Sequence, residues 1–243
     1  MSVRTMGTDR YRRQILVKEF GQKGQKQLKS KHAVLIGAGG LGSNSANLLV
    51  RMGIGSIDII DFDTIDKTNL HRTSVFSEQD IGKYKAIVLT EKLKKVNSEV
   101  HLKAINTKIT SKNIAMVLYD ADIIIDGTDN IPLRQEINRT AIQQNIPWVY
   151  AGVYGTVGMV MAIIPKKTAC FYCITQNIAI PKKTEIPVLG TLPATIATLQ
   201  CNETIKILLG RKPAGLLIYD VWDQCFDNLK VKRNPDCPIC GKK

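Results

Sequence analysis

A glycine-rich segment between residues 37 and 42 is the first part of the sequence whose residue types suggest chemistry. It reads Gly37-Ala-Gly39-Gly40-Leu-Gly42, after a short apolar run and before a helical pattern. Glycines let the backbone approach a phosphate, and a helix N-terminus presents unpaired N–H groups to it. Asp61 ends the next apolar run, where an acid can bind ribose hydroxyls. The segment predicts a nucleotide site, which an NAD-dependent oxidoreductase and an ATP-dependent enzyme would both fit.

Polar and charged side chains follow several other predicted strands. Asn69, Arg72, Lys85 and Asp129 lie after strands or near helix starts, at the edge where such folds bind ligands. Hydride transfer needs no cations around the phosphates. Cleavage between the α- and β-phosphates does need them, because negative charge grows on the departing pyrophosphate. Each residue alone could be a surface ion-pair partner, but together they favour phosphate chemistry.

Four of the six cysteines form two Cys-x-x-Cys pairs, Cys170 with Cys173 and Cys237 with Cys240. Four thiolates suit a closed tetrahedral zinc site. A redox role is less favoured, because redox motifs of this kind open a helix in a thioredoxin-like βαβ unit, which is not the setting here. The two pairs therefore predict one structural Zn²⁺ ion.

An alternation of strands and helices must position these residues. Apolar runs of strand length alternate with helical periodicity up to residue 151. This pattern predicts an α/β fold with a Rossmann-like, doubly wound, mostly parallel sheet, preceded by a helical segment of one or two helices. The helical segment covers residues 9–30, the strands 32–36, 56–60, 100–105, 121–125 and 147–151, and the helices 41–52, 84–96, 111–119 and 133–144.

The pattern changes after residue 152. Residues 155–165 predict a hairpin or strand pair, 192–209 a helix with one apolar face, and 216–219 a strand. Neither a linker nor an internal repeat interrupts the chain, so residues 1–243 are predicted to form a single domain. A small zinc knuckle would be built from residues 165–175 and 234–243.

The overall composition limits the class of protein. A chain of 243 residues with 44% apolar content suits one large α/β domain. No apolar run could span a bilayer and no signal segment is visible, so a cytoplasmic location is predicted. The net charge of +13 fits, in decreasing order, a solvated basic surface, attraction to an acidic partner or to phosphates, and nucleic-acid binding. No basic motif with interleaved aromatic residues supports the last of these.

Six motifs resemble those of the ThiF/MoeB adenylyltransferases, the bacterial and archaeal relatives of ubiquitin-activating enzymes. They cover nearly the whole chain in the family's order. The matching residues are Asp9-Arg-Tyr11-Arg-Arg13-Gln14-Ile15, Gly37-Ala-Gly-Gly-Leu-Gly-Ser43, Asp61-Phe-Asp63 through Asn69-Leu-His-Arg72, Gly82-Lys-Tyr-Lys85-Ala86, Asp126-Gly-Thr-Asp129-Asn130 with Arg134, and Asn234-Pro-Asp-Cys237-Pro-Ile-Cys240-Gly241.

The resemblance implies a role for most matched positions. Asp61 would bind the ribose, Asp129 would hold Mg²⁺, and Arg13 would cross a homodimer interface to the partner's ATP, where its guanidinium can grip phosphate oxygens as a fork. The implied nucleotide contacts are Gly37, Gly39, Gly40, Asp61, Asp63, Asn69, Arg72, Lys85, Asp129 and Asn130. The implied catalytic set is Arg13, Arg72, Lys85 and Asp129.

The resemblance also implies a reaction, the ATP-dependent adenylation of a ubiquitin-like sulfur-carrier protein at its C-terminal Gly-Gly, ahead of thiocarboxylation in molybdopterin or thiamine biosynthesis. The carboxylate is ionised at pH 7 and needs no general base, so His71 is expected to be a lining or surface residue. The alternative is a tRNA-modifying dehydratase of the same superfamily, which the net charge favours and the two cysteine pairs oppose. A module that only docks a carrier is disfavoured because Arg72, Lys85 and Asp129 are all retained.

Some members of the family use a further cysteine, before a Val-Leu-Gly motif, to bond covalently to the carrier. Here that motif is Val188-Leu-Gly190, and residues 174–187 contain no cysteine, so adenylation without a thioester step is predicted. Cys201 and Cys225 are predicted to be buried structural cysteines. Residues 178–187 are expected to form a mobile loop that crosses over the carrier's tail.

Overall fold

Eight strands form one sheet in the computed structural model, which describes residues 10–176 and 186–241. The strand order is β3-β2-β1-β4-β5-β6-β7-β8. The strands are β1 (His32–Ile36), β2 (Ser56–Ile60), β3 (His101–Ile105), β4 (Ile123–Asp126), β5 (Trp148–Tyr154), β6 (Val157–Ile163), β7 (Leu216–Asp220) and β8 (Cys225–Leu229).

The first five strands are parallel and the last three are antiparallel. β1 pairs with β2 on one side and with β4 on the other, so the strand order reverses between β1 and β4. Strands in such a sheet are covered on both faces, which explains why β1 and β4 are apolar along almost their whole length. The predicted doubly wound α/β fold is therefore confirmed.

Helices cover both faces of the sheet and divide the core into two apolar layers. One layer contains Leu49, Leu89 and Ile196, and the other contains Ile137 and Trp148, all of them buried. The helices are α1 (Arg12–Ile15), α2 (Gly21–Lys29), α3 (Gly40–Met52), α4 (Lys85–Val96), α5 (Ile114–Val117), α6 (Ile131–Gln144), α7 (Phe171–Thr175) and α8 (Leu192–Leu208), with 3₁₀ helices at Lys67–Arg72 and Glu78–Asp80. Within residues 10–176 and 186–241, no helix is long and apolar enough to cross a bilayer.

The structure corrects two of the predicted elements. The helix predicted at 111–119 is reduced to α5, because the Asn113 side chain closes a turn with Thr110 and Asp120 has a φ of +68°. Residues 155–165 do not form a hairpin of their own, since β6 pairs with β5 across a turn at Gly155. The two 3₁₀ helices and β8 were not predicted. Every residue of β8 is exposed, so its sequence has no apolar alternation.

Candidate active site

The turn after β1 packs against the turn after β4. Gly37 has a φ of +91°, in the left-handed region that favours glycine. A Cβ on Gly42 would lie 1.9 Å from the Gly37 carbonyl oxygen, and one on Gly127 would lie 2.2 Å from the same atom. Only glycine fits at these two positions, so the turns meet backbone to backbone.

Gly39, the residue that precedes α3, faces open space at the carboxyl edge of the sheet. A Cβ on Gly39 would meet nothing within 4 Å, and Gly39 provides no side-chain cap for the helix. The first N–H groups of a helix have no partner within the helix, and the helix dipole makes this end positive. The start of α3 can therefore bind a phosphate through its backbone.

Asp61 follows β2, and its carboxylate is buried beside the glycine turn. Its Oδ2 accepts the Ala38 N–H at 2.7 Å and its Oδ1 accepts the Asp63 N–H at 2.8 Å. Burial raises the pKa of the Asp61 carboxyl, and these two N–H groups oppose the rise. The main chain thus fixes the carboxylate while each oxygen keeps lone-pair capacity for a ligand.

The 3₁₀ helix at 67–72 carries Asn69 and Arg72 to the same edge. Asp66 caps this helix by accepting the Thr68 N–H at 2.8 Å. The aliphatic part of Arg72 packs over Gly40, where an added Cβ would lie 3.2 Å from it. Nη1 of Arg72 donates to the Thr68 carbonyl at 2.6 Å. This local bond holds the guanidinium close to the start of α3.

Lys85 reaches the edge from a helix and Asp129 from a loop. Lys85 begins α4, and its Nζ lies 3.3 Å from Oδ2 of Asp63. Asp129 is exposed in the loop between β4 and α6. The next residue, Asn130, caps α6 by accepting the Leu133 N–H at 3.0 Å. The helix cap therefore fixes the end of the loop that carries Asp129.

A cavity of about 420 Å³ lies at the carboxyl ends of the parallel strands. Its volume is in the range of small-molecule sites. All the residues predicted to contact the nucleotide line it, namely Gly37, Gly39, Gly40, Asp61, Asp63, Asn69, Arg72, Lys85, Asp129 and Asn130. The structure thus brings this predicted set together around one cavity.

Several further lining residues were missed by the sequence reasoning. Thr107, Lys108 and Ile109 follow β3 and line the cavity together with Phe62. The Lys108 Nζ lies 5.3 Å from the centroid of the Phe62 ring, within reach of a cation–π interaction. The rule that ligands bind at the carboxyl ends of strands would have found them if it had been applied to β3.

Arg13 does not line this cavity. It lies on α1, which is anchored where α3 and α4 end: Tyr11 accepts a hydrogen bond from Asn97 at 2.7 Å, and Gln14 donates to the Met52 carbonyl at 3.0 Å. The 13 residues of α3 separate Met52 from the glycine turn by about 20 Å, at 1.5 Å per residue. Arg13 therefore lies at the opposite edge of the sheet from its own chain's cavity.

The four paired cysteines form a second candidate site. The sulfur atoms of Cys170, Cys173, Cys237 and Cys240 all lie within 4.8 Å of one another. The Cys170 sulfur is 3.8 Å from those of Cys173 and Cys237, and the Cys173 and Cys240 sulfurs are 3.5 Å apart. A tetrahedral zinc site with Zn–S bonds of ~2.3 Å has sulfur separations of about 3.8 Å. The donor set and its dimensions fit Zn²⁺.

The remaining predictions have mixed outcomes. Cys201 is buried, as predicted, and burial raises the pKa of its thiol to about 12. The prediction that Cys225 is buried was wrong, because this residue is exposed at the start of β8, an edge strand. His71 is an exposed residue whose Nδ1 lies 2.9 Å from the Thr68 carbonyl oxygen. Most of the loop predicted at 178–187 lies outside the described residues.

A doubly wound sheet with a glycine turn after β1, an acid after β2 and cations at the carboxyl edge defines a Rossmann-like nucleotide-binding protein. The sequence profile of the ThiF family matches residues 11–239. The chain belongs to the ThiF family.

Relatives and solved structures agree with this membership. The chain is 36% identical to a protein of Thermus thermophilus named sulfur carrier protein adenylyltransferase, covering 96% of this chain and 90% of that relative. It is 29% identical to the molybdopterin-synthase adenylyltransferase of Escherichia coli, covering 96% of each. The crystal structure of E. coli MccB with ATP superimposes with a TM-score of 0.85 at 28% identity, covering 96% of this chain and 74% of MccB.

Proposed function

We propose that this protein adenylates the C-terminal glycine carboxylate of a ubiquitin-like sulfur-carrier protein, using ATP and Mg²⁺ and releasing pyrophosphate. The observation that carries the proposal is the convergence of Arg72, Lys85 and Asp129 on the cavity beside the glycine turn. The proposal also draws on the names of the relatives, which include a ThiS adenylyltransferase of Bacillus subtilis that is 33% identical over 97% of this chain. The product would be ready for thiocarboxylation in molybdopterin or thiamine biosynthesis.

In the proposed reaction a carboxylate oxygen of the carrier forms a bond to the α-phosphorus of ATP. The bond from that phosphorus to the oxygen bridging the α- and β-phosphates breaks, and pyrophosphate leaves with the electron pair. The C-terminal carboxylate is ionised at neutral pH, so no base has to remove a proton. The protein therefore has two tasks, to align the two reactants and to stabilise the charge on pyrophosphate.

The cavity provides residues for the ribose and the phosphates of ATP and for its metal ion. Asp61 would accept the ribose hydroxyls, and the start of α3 with Asn69 would bind phosphate oxygens. Arg72 and Lys85 would stabilise the growing negative charge of the leaving group. Asp129 would hold Mg²⁺, which prefers carboxylate and phosphate oxygens and neutralises the phosphate charge.

We also propose that the active enzyme is a homodimer in which Arg13 acts on the partner's ATP. Two contacts support this, since Tyr11 and Gln14 anchor α1 at the edge of the sheet farthest from the same chain's cavity. An arginine is suited to this role because it stays charged and can bind two phosphate oxygens at once.

A structural zinc site and a single domain complete the proposal. Zn²⁺ held by Cys170, Cys173, Cys237 and Cys240 would tie the segment after β6 to residues 234–241. All eight strands belong to one sheet, which supports a single adenylation domain. Neither Cys201, which is buried, nor Cys225, on the outer strand β8, lines the cavity, so adenylation without a thioester step remains the proposal.

The direct test is to incubate the purified protein with ATP, Mg²⁺ and a candidate carrier ending in Gly-Gly, and to measure the mass of the carrier. The proposal expects a carrier heavier by one adenylyl group, formed only when both ATP and Mg²⁺ are present. A carrier of unchanged mass with every candidate, although the protein binds ATP, would contradict it.

A further inference from the structure

Arg134 and Asp126 belong to a matched motif, but the proposed reaction gives neither of them a task. Both are buried, and Nε of Arg134 lies 3.0 Å from Oδ2 of Asp126. A buried ion pair is costly to desolvate, and apolar residues of similar volume are often as stable. A role in specifying the geometry of the site would account for the pair better than stability alone.

Asp126 and Arg134 both bind Thr128, which lies in the loop between β4 and α6. Oδ1 of Asp126 accepts the Thr128 N–H at 2.8 Å and the Thr128 hydroxyl at 2.7 Å. Nη2 of Arg134 donates to the Thr128 carbonyl and, at 2.8 Å, to the carbonyl of Ala151 on β5. The peptide that joins Thr128 to the next residue is therefore fixed by Arg134.

Further contacts keep the pair itself in place. The Arg134 guanidinium lies over the Tyr150 ring, 5.0 Å from its centroid. Gln200 of α8 donates to the carbonyls of Asp126 and Val149 at 2.8 and 2.9 Å, and its side-chain oxygen accepts the Ser45 hydroxyl at 2.6 Å. The network thus joins β4 and β5 to three helices, α3, α6 and α8, and has little freedom to move.

The residue that follows Thr128 is Asp129. Among the described residues no side chain or backbone group donates a hydrogen bond to its carboxylate, and it is exposed. Its position therefore depends on the backbone of the loop, which Arg134 holds before it and Asn130 holds after it. Mg²⁺ requires near-ideal octahedral geometry, so a small displacement of this loop would weaken its binding.

We propose that Arg134 is a positioning residue that, with Asp126, places Asp129 and thereby couples the binding of Mg²⁺ to that of ATP. This inference rests on the proposed role of Asp129 as the magnesium ligand. Arg134 acts through the loop and would not itself contact the ion.

The test measures the dissociation constant of ATP twice, with Mg²⁺ and with EDTA, so no carrier is needed. The dissociation constant in EDTA divided by the one with Mg²⁺ reports how far Mg²⁺ tightens ATP binding. Arg134→Lys keeps the charge beside Asp126 but loses the fork that holds Thr128 and Ala151 together. We expect it to reduce the ratio about tenfold, the low end of the usual effect of removing a residue that orients a metal ligand. Arg134 also lines the cavity, so binding in EDTA should weaken as well, but less than binding with Mg²⁺.

Two comparisons separate positioning from general damage. Arg139→Lys is the matched control, because Arg139 lies on the same helix but is exposed, with Glu136 at 3.3 Å, and it should keep the wild-type ratio. On an Asp129→Asn background, Arg134→Lys should reduce the ratio no further, since both changes act on the same ligand. A wild-type ratio in Arg134→Lys, or equal weakening with and without Mg²⁺, would overturn the inference.

If Arg134→Lys does not fold, Thr128→Val replaces it, because it removes only the hydroxyl donated to Asp126 and keeps the ion pair. A reduced ratio supports the inference and an unchanged ratio overturns it. The same ratio in the wild type and in Asp129→Asn shows whether the inference about Arg134 has failed or the proposed function itself. If Mg²⁺ does not tighten ATP binding to the wild type, or Asp129→Asn leaves the ratio unchanged, the magnesium role of Asp129 fails first.

Discussion

At the scale of single residues, Asp61 shows how the fold prepares a side chain for a ligand. Its carboxylate is buried and accepts two backbone N–H groups, yet burial still raises its pKa above the ordinary value of 3.8. A raised carboxyl pKa stabilises the folded state below pH 3.8, and this contribution is lost as the pH rises through the folded-state pKa. The burial of Asp61 therefore costs stability once the pH has passed the folded-state pKa, a cost that the proposed role as a strong acceptor for ribose hydroxyls would explain.

The shift in Asp61 predicts a pH dependence of ribose recognition. The preference of the protein for ATP over 2′,3′-dideoxy-ATP should fall as the pH drops from about 7 to about 4, because the carboxylate becomes protonated. Titration calorimetry with both nucleotides measures the preference, and their ratio cancels the titration of the phosphates.

Asp61→Asn is the control for this experiment and should show a small preference that does not change with pH. A preference for ATP that stays constant with pH in the wild type would show that Asp61 does not bind the ribose as its ionised form.

At the scale of secondary-structure elements, the cysteine site joins two segments that the sheet does not hold together. Cys170 immediately precedes α7, and Cys237 and Cys240 lie beyond β8 near the end of the described chain. Backbone hydrogen bonds join Cys237 to Asn234 and Gly241 to Cys237 within the last segment. The four sulfur atoms meet between the segments, beside a hydrogen bond from Arg233 to the Lys166 carbonyl at 3.4 Å. A bound metal ion would therefore add to the contact between the segments and contribute to their folding.

Cys237→Ser should therefore release zinc and lower the melting temperature by about 5 °C or more, equivalent to ~2 kcal/mol for a chain of this size. Metal analysis and thermal unfolding measure the two effects. Cys225→Ser is the matched control, because Cys225 is exposed on β8 and should leave both unchanged. Full zinc content in Cys237→Ser would contradict the four-thiolate site.

The sequence predicted the parallel half of the sheet better than the rest. β1, β2 and β4 read as apolar runs because both of their faces are covered, and the polar residues predicted at their carboxyl ends line one cavity. β8 could not be found this way, since hydrogen bonds to β7 define it and apolar burial does not. The bonds from Arg134 to Thr128 and Ala151 also left no sequence signal, because they depend on how a loop meets a neighbouring strand.

At the scale of the whole molecule, the cavity and Arg13 lie at opposite edges of the sheet. The cavity contains cations from its own chain, Arg72 and Lys85, whereas Arg13 is fixed beside the end of α3. If Arg13 acts in catalysis, a second copy of the chain must bring it to the site. Such a site is complete only in a symmetric dimer, where each chain supplies one arginine to the other.

Mixing two inactive variants should therefore restore activity. In a dimer of Arg13→Ala with Asp129→Ala, the first chain's cavity keeps Asp129 and receives Arg13 from the second. Random mixing should give about a quarter of the wild-type activity, because about half the dimers are mixed and each has one intact site. Pyrophosphate release in the presence of a carrier measures it.

Asp129→Ala mixed with Lys85→Ala is the control and should remain inactive, since both changes lie in the cavity and neither chain keeps an intact one. Absence of recovery in the first mixture, although mixed dimers form, would exclude action of Arg13 across the interface.

The proposed acceptor is a C-terminal glycine carboxylate, and ATP–pyrophosphate exchange with Mg²⁺ is the first test of this claim. Candidate carriers ending in Gly-Gly are added one at a time, each beside a version that lacks its last glycine. Exchange that appears with one carrier and disappears with its shortened version is the expected result. Measurable ATP binding without exchange from any carrier would contradict the claim and favour a small-molecule or tRNA-linked carboxylate as the acceptor.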